Sequence, residues 1–305
     1  MKSHPRLSQL LVETKAFTDL EKPVILASGQ LGIYYVNAEK LVQDGGKFND
    51  YGNSSLDIIQ HAVRMTQQHP TFGEVISILA QQTKELLSEK FKAVSGGQRR
   101  DWLFSGPVAR NLGIPHISIY KDRKSEAVYP DGRVCPINYE GPLNGMYIVH
   151  IVDLLTEGSS CYSSSDGVKS GWIPEIRKRG GRIDNLVAVV TRLQKGEENL
   201  LAQGVTVHAN VAIDEDFLRQ HSNNPERALD YVQNPKNWSE NYLRQNGALS
   251  LIETFNPQGG KLDRARKFLD GYGNALAKAD RWDELDREVN SRYGVHLGNI
   301  SGDVD

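Results

Sequence analysis

The sequence predicts an α/β protein: a mostly parallel sheet flanked by helices, with a helical C-terminal appendage. Three observations predict it. Short apolar, β-rich runs alternate with amphipathic segments between about residues 23 and 211, the rhythm of βαβ units. The longest run, Tyr147 to Leu155 (YIVHIVDLL), is apolar enough to lie covered on both faces, as strands of parallel sheets do. After about residue 213 charges multiply, helical spacing takes over and buried-strand runs cease.

Taken in order, Leu7, Leu10, Leu11 and Phe17 fall near one helical face and predict an opening amphipathic helix. Pro23 to Ala27 and Tyr34 to Asn37 read as strands joined through Ser28-Gly29 and Gly32. Leu56 to Gln67 and Phe72 to Phe91 carry apolar residues at helical intervals, Val75, Ile78, Leu79 and Leu86 among them. Ala93 to Ser95 is a short buried strand broken by Gly96-Gly97. Asp101 to Leu112 is a helix closed by Gly113 at its C-cap. Strands follow at His116 to Tyr120, Tyr147 to Leu155, Leu186 to Val190 and Val205 to Val211, with helices at Ile173 to Arg179 and Glu197 to Gln203. In the tail, Leu262, Ala265 and Leu269 recur at helical spacing, and Trp238 and Trp282 suit the anchoring of such helices. The expected organisation is an N-terminal helical segment (1–21), an α/β domain (22–213) and a helical extension (214–305).

With 305 residues, 39% apolar and 24% charged, the chain can bury a core without disulfides. A formal net charge of −2 gives no broad basic field for nucleic acid, so any anion site is local. Cys135 and Cys161 lack metal-ligand spacing and read as free thiols in a reducing compartment. MKSHPRLSQLL has no apolar run of signal-peptide kind, and no stretch approaches the roughly 20 apolar residues of a membrane span. The expectation is a soluble cytoplasmic protein with no membrane or nucleic-acid partner.

Val149 to Ser160 (VHIVDLLTEGSS) carries the functional reading. An apolar strand delivers Asp153 to its carboxyl end, where ligands sit in open α/β sheets. The turn Thr156-Glu157-Gly158-Ser159-Ser160 offers backbone N–H groups and hydroxyls converging on one point, which suits a phosphate monoester. Asp153 is placed to accept hydrogen bonds from ribose hydroxyls. The plainer reading is an ordinary loop in which Ser159 or Ser160 caps a helix.

This segment resembles the ribose-phosphate motif of type I phosphoribosyltransferases, in which a hydrophobic strand leads into two acidic residues, two hydrophobic ones and a Thr-x-Gly-x-x turn. Val152 stands at the first acidic position and Glu157 at a position usually small or hydroxylic. Four other segments resemble orotate phosphoribosyltransferases, in that family's order. Ser28 to Asn37 (SGQLGIYYVN) is similar to the segment beside the base, with Ala27, Gln30 and Gly32-Ile33 replacing the family's Lys, Arg and Ser-Pro. Val94 to Phe104 (VSGGQRRDWLF) is similar to the pyrophosphate loop, with Arg99 and Arg100 at the start of a helix. Tyr120 to Gly145, read as a long segment with little structure of its own, is similar to the mobile catalytic loop; Lys121 and Lys124 match its lysines and Glu126 stands where it has a histidine. Val189 to Asn199 (VVTRLQKGEEN) is similar to the strand end where an arginine, here Arg192, faces the base.

The resemblance implies transfer of a phosphoribosyl group from phosphoribosyl pyrophosphate to orotate, with Mg²⁺ as cofactor and a homodimer as the assembly. It implies catalytic roles for Lys121, Lys124, Arg100 and Asp153. Arg99, Arg100, Asp153, Thr156, Glu157, Gly158, Ser159 and Ser160 would hold phosphoribosyl pyrophosphate. Tyr34, Tyr35 and Arg192 would hold the base, and Asp153 is the one protein group placed to approach the metal. The competing readings are a transferase for a different base and a non-catalytic sensor of the same fold.

Overall fold

The computed structural model describes residues 3–26, 28–43, 51–87, 92–165 and 167–301. Ala27, and residues 88–91 at the end of the helix expected over Phe72 to Phe91, lie outside the described residues.

Contacts divide the chain into two compact units, Met1–Phe17 with Val36–Phe217, and Thr18–Tyr35 with Leu218–Asp305. The division runs differently from 22–213 and 214–305. Most of the hairpin made by β1 (Phe17–Ile25) and β2 (Leu31–Val36) clusters with the C-terminal helices. The physical reason is a shared core: Ile25 and Leu31 are buried among Phe255, Phe268, Leu269 and Leu276. The Tyr231 hydroxyl also donates to the Leu31 carbonyl at 2.6 Å.

In the first unit, α1 (Pro5–Glu13) buries Leu7, Leu10 and Leu11 as expected. Phe17 is not on that helix. Thr14 caps α1, and Lys15 takes a left-handed backbone (φ 57°) that turns the chain into β1.

Among the described residues, seven strands form one sheet. They are β3 (Lys92–Gly97), β4 (His116–Ile119), β5 (Ser125–Val128), β6 (Val134–Pro136), β7 (Tyr147–Leu155), β10 (Arg182–Thr191) and β11 (Thr206–Ala212), in the order β11-β10-β7-β3-β4-β5-β6. The first five in that order pair parallel and the last two antiparallel. Helices α2 (Ser55–Gln68), α3 (Pro70–Leu86), α4 (Asp101–Leu112), α5 (Trp172–Lys178) and α6 (Gly196–Leu201) pack with this sheet and one another. The expected mostly parallel sheet with flanking helices is present. A small hairpin, β8 (Ser163–Ser165) with β9 (Val168–Ser170), lengthens the connection after β7.

The Tyr120 to Gly145 segment differs from its expectation, because β5 and β6 lie inside it and extend the sheet. Its turn is Tyr129-Pro130-Asp131-Gly132, where Gly132 (φ 89°) donates to the Tyr129 carbonyl at 2.9 Å. Pro presets one turn position and Gly supplies the left-handed one. The segment is also pinned. Buried Arg179 pairs with Glu175 at 2.8 Å, donates to the Arg123 carbonyl at 2.7 Å and lies over the Tyr139 ring at 4.1 Å.

After α7 (Glu215–His221), the second unit holds α8 (Pro225–Gln233), α9 (Pro235–Asn246), α10 (Leu262–Lys278), α11 (Trp282–Tyr293) and α12 (Leu297–Ser301). Ala265 and Leu269 are buried, and Trp238 and Trp282 pack against their core. The helical tail is as expected.

Candidate active site

Parallel registry brings three strand ends of the first unit together. Ser95 on β3 faces His150 on β7, and Leu155 on β7 faces Thr191 on β10. The residues after these strands therefore meet along one edge: the loop from Gly97, the turn from Thr156 and the chain at Arg192. Ligands in open α/β sheets bind at such carboxyl ends.

The turn after β7 is held from behind. Gly158 (φ 75°) takes a backbone that only glycine adopts freely, and its carbonyl accepts the N–H groups of Cys161 and Tyr162, each at 2.9 Å. Ser160 accepts the Trp172 N–H at 3.1 Å. Asn199 donates to the Glu157 carbonyl at 3.0 Å. Gly196 crosses so close that a Cβ there would stand 2.3 Å from the Thr156 carbonyl oxygen. Among the described residues, no hydrogen bond engages the N–H groups of Glu157, Gly158, Ser159 or Ser160. Successive open amide donors are the feature from which anion-binding concavities are built. Thr156 is half-buried and Glu157, Ser159 and Ser160 are exposed, so the Glu157 carboxylate has solvent to occupy.

Asp153 lies near the end of β7, within electrostatic reach of Arg100. Burial raises the Asp153 carboxyl above the usual aspartate range, and the charge of Arg100 opposes that rise. Asp101, which sequence reasoning did not single out, lies against Asp153. Its Oδ1 accepts the Asp153 N–H and its Oδ2 the Gly97 N–H, each at 3.1 Å. Burial first, and the charge of Asp153 second, hold the Asp101 carboxyl well above the ordinary range. Burial, with both carboxylates, also raises the Cys161 thiol. The signal for Asp101 was an acid directly after the Arg99-Arg100 pair, hidden by its resemblance to a first-turn helix acid.

The basic residues are partly engaged. Arg100 Nε lies 3.3 Å from Glu39 Oε2, with the arginine 52% and the glutamate 8% exposed. Arg99 donates to the Gly52 carbonyl at 3.3 Å, and the Gln98–Arg99 peptide is cis. Lys121 is exposed, and its N–H is held by the Gln98 side chain at 2.8 Å, beside the glycine-rich loop. Lys124 is 82% exposed and pairs with Asp122 at 3.0 Å. Glu126, at the histidine position, is structural: it accepts from the hydroxyl of Tyr120 at 2.6 Å and is tied to Ser55. Arg192 leaves β10 with its N–H on the Leu155 carbonyl at 3.0 Å, which fixes it beside the turn.

Gly97 is as tightly placed as Gly196: a Cβ would stand 2.2 Å from Trp172 Cε2. Behind the loop lies a buried polar network. Ser95 bonds His150 Nδ1 at 2.8 Å, and His116 bridges Ser105 and Ser118 at 2.8 and 2.9 Å. Burial lowers both imidazoles to about 3.

Tyr34 and Tyr35 belong to the second unit. Tyr34 is 2% exposed and meets Tyr231 edge-on, with ring centroids 6.0 Å apart, so it serves the core. Tyr35 is 41% exposed.

The first unit is thus a mostly parallel sheet whose central strand runs into a turn with open N–H groups, beside a glycine-rich loop. The chain resembles the type I phosphoribosyltransferase family. No family model matches it. It is 25% identical over 180 residues to the adenine phosphoribosyltransferases of Salmonella gallinarum and Salmonella arizonae, an alignment spanning 51% of this chain and 93% of each relative. Among solved structures, orotate phosphoribosyltransferase from Aeropyrum pernix is similar at 17% identity and a TM-score of 0.41, covering 70% of this chain and 98% of that one. Adenine phosphoribosyltransferase from Thermoanaerobacter pseudethanolicus is similar at 18% identity and a TM-score of 0.38, covering 60% and 89%. No helix of the described residues is long and apolar enough to cross a membrane.

Proposed function

We propose that this protein transfers the phosphoribosyl group of phosphoribosyl pyrophosphate to a nitrogenous base, releasing pyrophosphate. The observation that carries the reading is the row of open N–H donors from Glu157 to Ser160 at the tip of β7, beside Asp153 and Arg100. The 5′-phosphate would occupy these amides, with the Thr156, Ser159 and Ser160 hydroxyls around it. Asp153 would accept from the ribose hydroxyls.

Breaking the glycosidic C–O bond leaves positive charge on the sugar and negative charge on the departing pyrophosphate. Arg99, Arg100, Lys121 and Lys124 would stabilise the latter. Mg²⁺ is commonly held by one or two carboxylates together with substrate phosphates, and Asp153 is placed to supply one carboxylate, although no group of three or more ligating side chains occurs among the described residues. When bound, the ion would neutralise charge on the pyrophosphate. The chain's own part is to orient the ribose through Asp153 and to hold the loop through Asp101 and Gln98.

Orotate is the proposed acceptor, because Arg192 is fixed beside the turn and a guanidinium fork suits a carboxylate. Adenine is the second reading, favoured by the curated relatives. A panel of pyrimidine and purine bases, each supplied with phosphoribosyl pyrophosphate and Mg²⁺ and followed by absorbance, tests both. Turnover of orotate supports the first reading and turnover of adenine alone replaces it. Tight binding of the donor with no turnover of any base would make the protein a sensor.

A further inference from the structure

We propose that Asp101 is a positioning residue that ties the pyrophosphate loop to the ribose-binding strand tip, so that the two halves of the donor site move as one. This rests on the phosphoribosyl reading of the site. The geometry is specific. One carboxylate oxygen accepts the N–H of Gly97, where β3 enters the glycine-rich loop, and the other accepts the N–H of Asp153, at the tip of β7.

The plainer reading is an acid that caps its own helix. Such a residue turns its carboxylate onto N–H groups of its first turn. Here α4 has no side-chain cap bond, and both carboxylate bonds leave the helix for two different strands. The main chain on either side is also braced. Ser105 donates to the Asp101 carbonyl at 2.8 Å, and the Trp102 ring N–H donates to the Gly96 carbonyl at 2.8 Å. A Cβ on Gly96 would stand 2.3 Å from Ser105 Oγ, so loop and helix pack without slack.

Burying a carboxyl is costly unless it makes hydrogen bonds that compensate. An apolar side chain would fill the space without that cost, but could not hold two N–H groups of neighbouring strands. The position also supplies a second carboxyl at the strand tip, since Val152, next to Asp153, is buried and apolar. A ligand that fixes Asp153 therefore pulls on Gly97 through one rigid side chain.

The test uses the full-length protein, Asp101→Asn, Asp153→Asn and the double variant, with folding checked by thermal melting. Affinities for ribose 5-phosphate and for pyrophosphate are measured separately by calorimetry. Asp153→Asn is expected to weaken ribose 5-phosphate about tenfold and to leave pyrophosphate within about twofold. Asp101→Asn, which puts an amide donor against one of the two N–H groups, is expected to weaken both ligands, each about tenfold. The double variant should bind ribose 5-phosphate no more weakly than about threefold below the weaker single, because one acts through the other. Effects that multiply, or an Asp101→Asn variant that affects one ligand alone, would overturn the tie. Wild-type protein that binds neither ligand would instead overturn the phosphoribosyl reading itself. Amide exchange in the wild type serves even where Asp101→Asn fails to fold. Ribose 5-phosphate alone should slow exchange at Gly97 as well as at Asp153, and slowing confined to Asp153 would overturn the proposal.

Discussion

Gly97→Ala probes the packing that sets the glycine-rich loop. The added Cβ would stand 2.2 Å from Trp172 Cε2, 2.3 Å from its Nε1 and 2.7 Å from its Cδ2. Carbon contacts are comfortable at about 3.5–4.0 Å, so the indole or β3 must move by more than 1 Å. Neither is free to do so: Trp172 is buried beside Ile173 and Ile176, and β3 is paired on both edges. Gly97 does not have a positive φ, so the cost is steric. Overpacking of this kind costs about 1–3 kcal/mol, which lowers the melting temperature by about 2–4 °C per kcal/mol in a unit of this size. Urea denaturation gives the stability and steady-state kinetics give the KM for phosphoribosyl pyrophosphate, which should rise because the Gly97 N–H is displaced. Trp172→Ala in the same chain removes the clashing ring, and the double-mutant cycle should show a coupling of about 1 kcal/mol or more. A Gly97→Ala protein within about 0.5 kcal/mol of wild type, with no coupling to Trp172, would refute the reasoning.

Other perturbations follow from the same site. Glu39→Gln removes the charge paired with Arg100 at 3.3 Å; that arginine is half-exposed and the pair is worth up to about 1 kcal/mol, so pyrophosphate should bind up to about fivefold tighter, and weaker binding in calorimetry would contradict the role given to Arg100. Arg179→Ala removes the 2.8 Å partner of buried Glu175, which keeps Lys178 and the Tyr139 hydroxyl, each at 3.0 Å, and should cost up to about 3 kcal/mol, read by denaturation. His116 and His150 are neutral in the fold, with pKa lowered from 6.5 to about 3, so their stabilisation is complete above pH 6.5 and is lost as pH falls towards 3. His150→Leu should flatten the stability profile between those limits by about 1.4 kcal/mol per pH unit, and an unchanged slope in denaturation at several pH values would show that His150 is not the buried base.

The sheet and the helices that flank it were legible because YIVHIVDLL and its neighbours are apolar runs of strand length separated by helical periods. The turn after β7 was legible as a turn, because small and hydroxyl residues follow a buried apolar strand; the same pattern also suits an ordinary capping loop, so the phosphate role is a proposal. The hairpin of β5 and β6 was missed although Pro130-Asp131-Gly132 is a turn signal, because β6 is three exposed residues with a proline and leaves no hydrophobic pattern. Asp101 and Glu39 were hidden for a different reason. Each is an ordinary acid by composition, and only the packing of separate elements turns it towards Asp153 or Arg100. The hairpin carrying Tyr34 read as part of the α/β domain from its place in the chain. Its apolar side chains found their partners some 200 residues later, in Tyr231 and Phe268, which spacing along a sequence does not disclose.

The most direct measurement is the position of the phosphate of ribose 5-phosphate in crystals of this protein. Density is expected within the turn after β7, with oxygens on the main-chain N–H groups of residues 157–160 and the sugar hydroxyls towards Asp153. Phosphate bound elsewhere, with these amides facing only water, would contradict it.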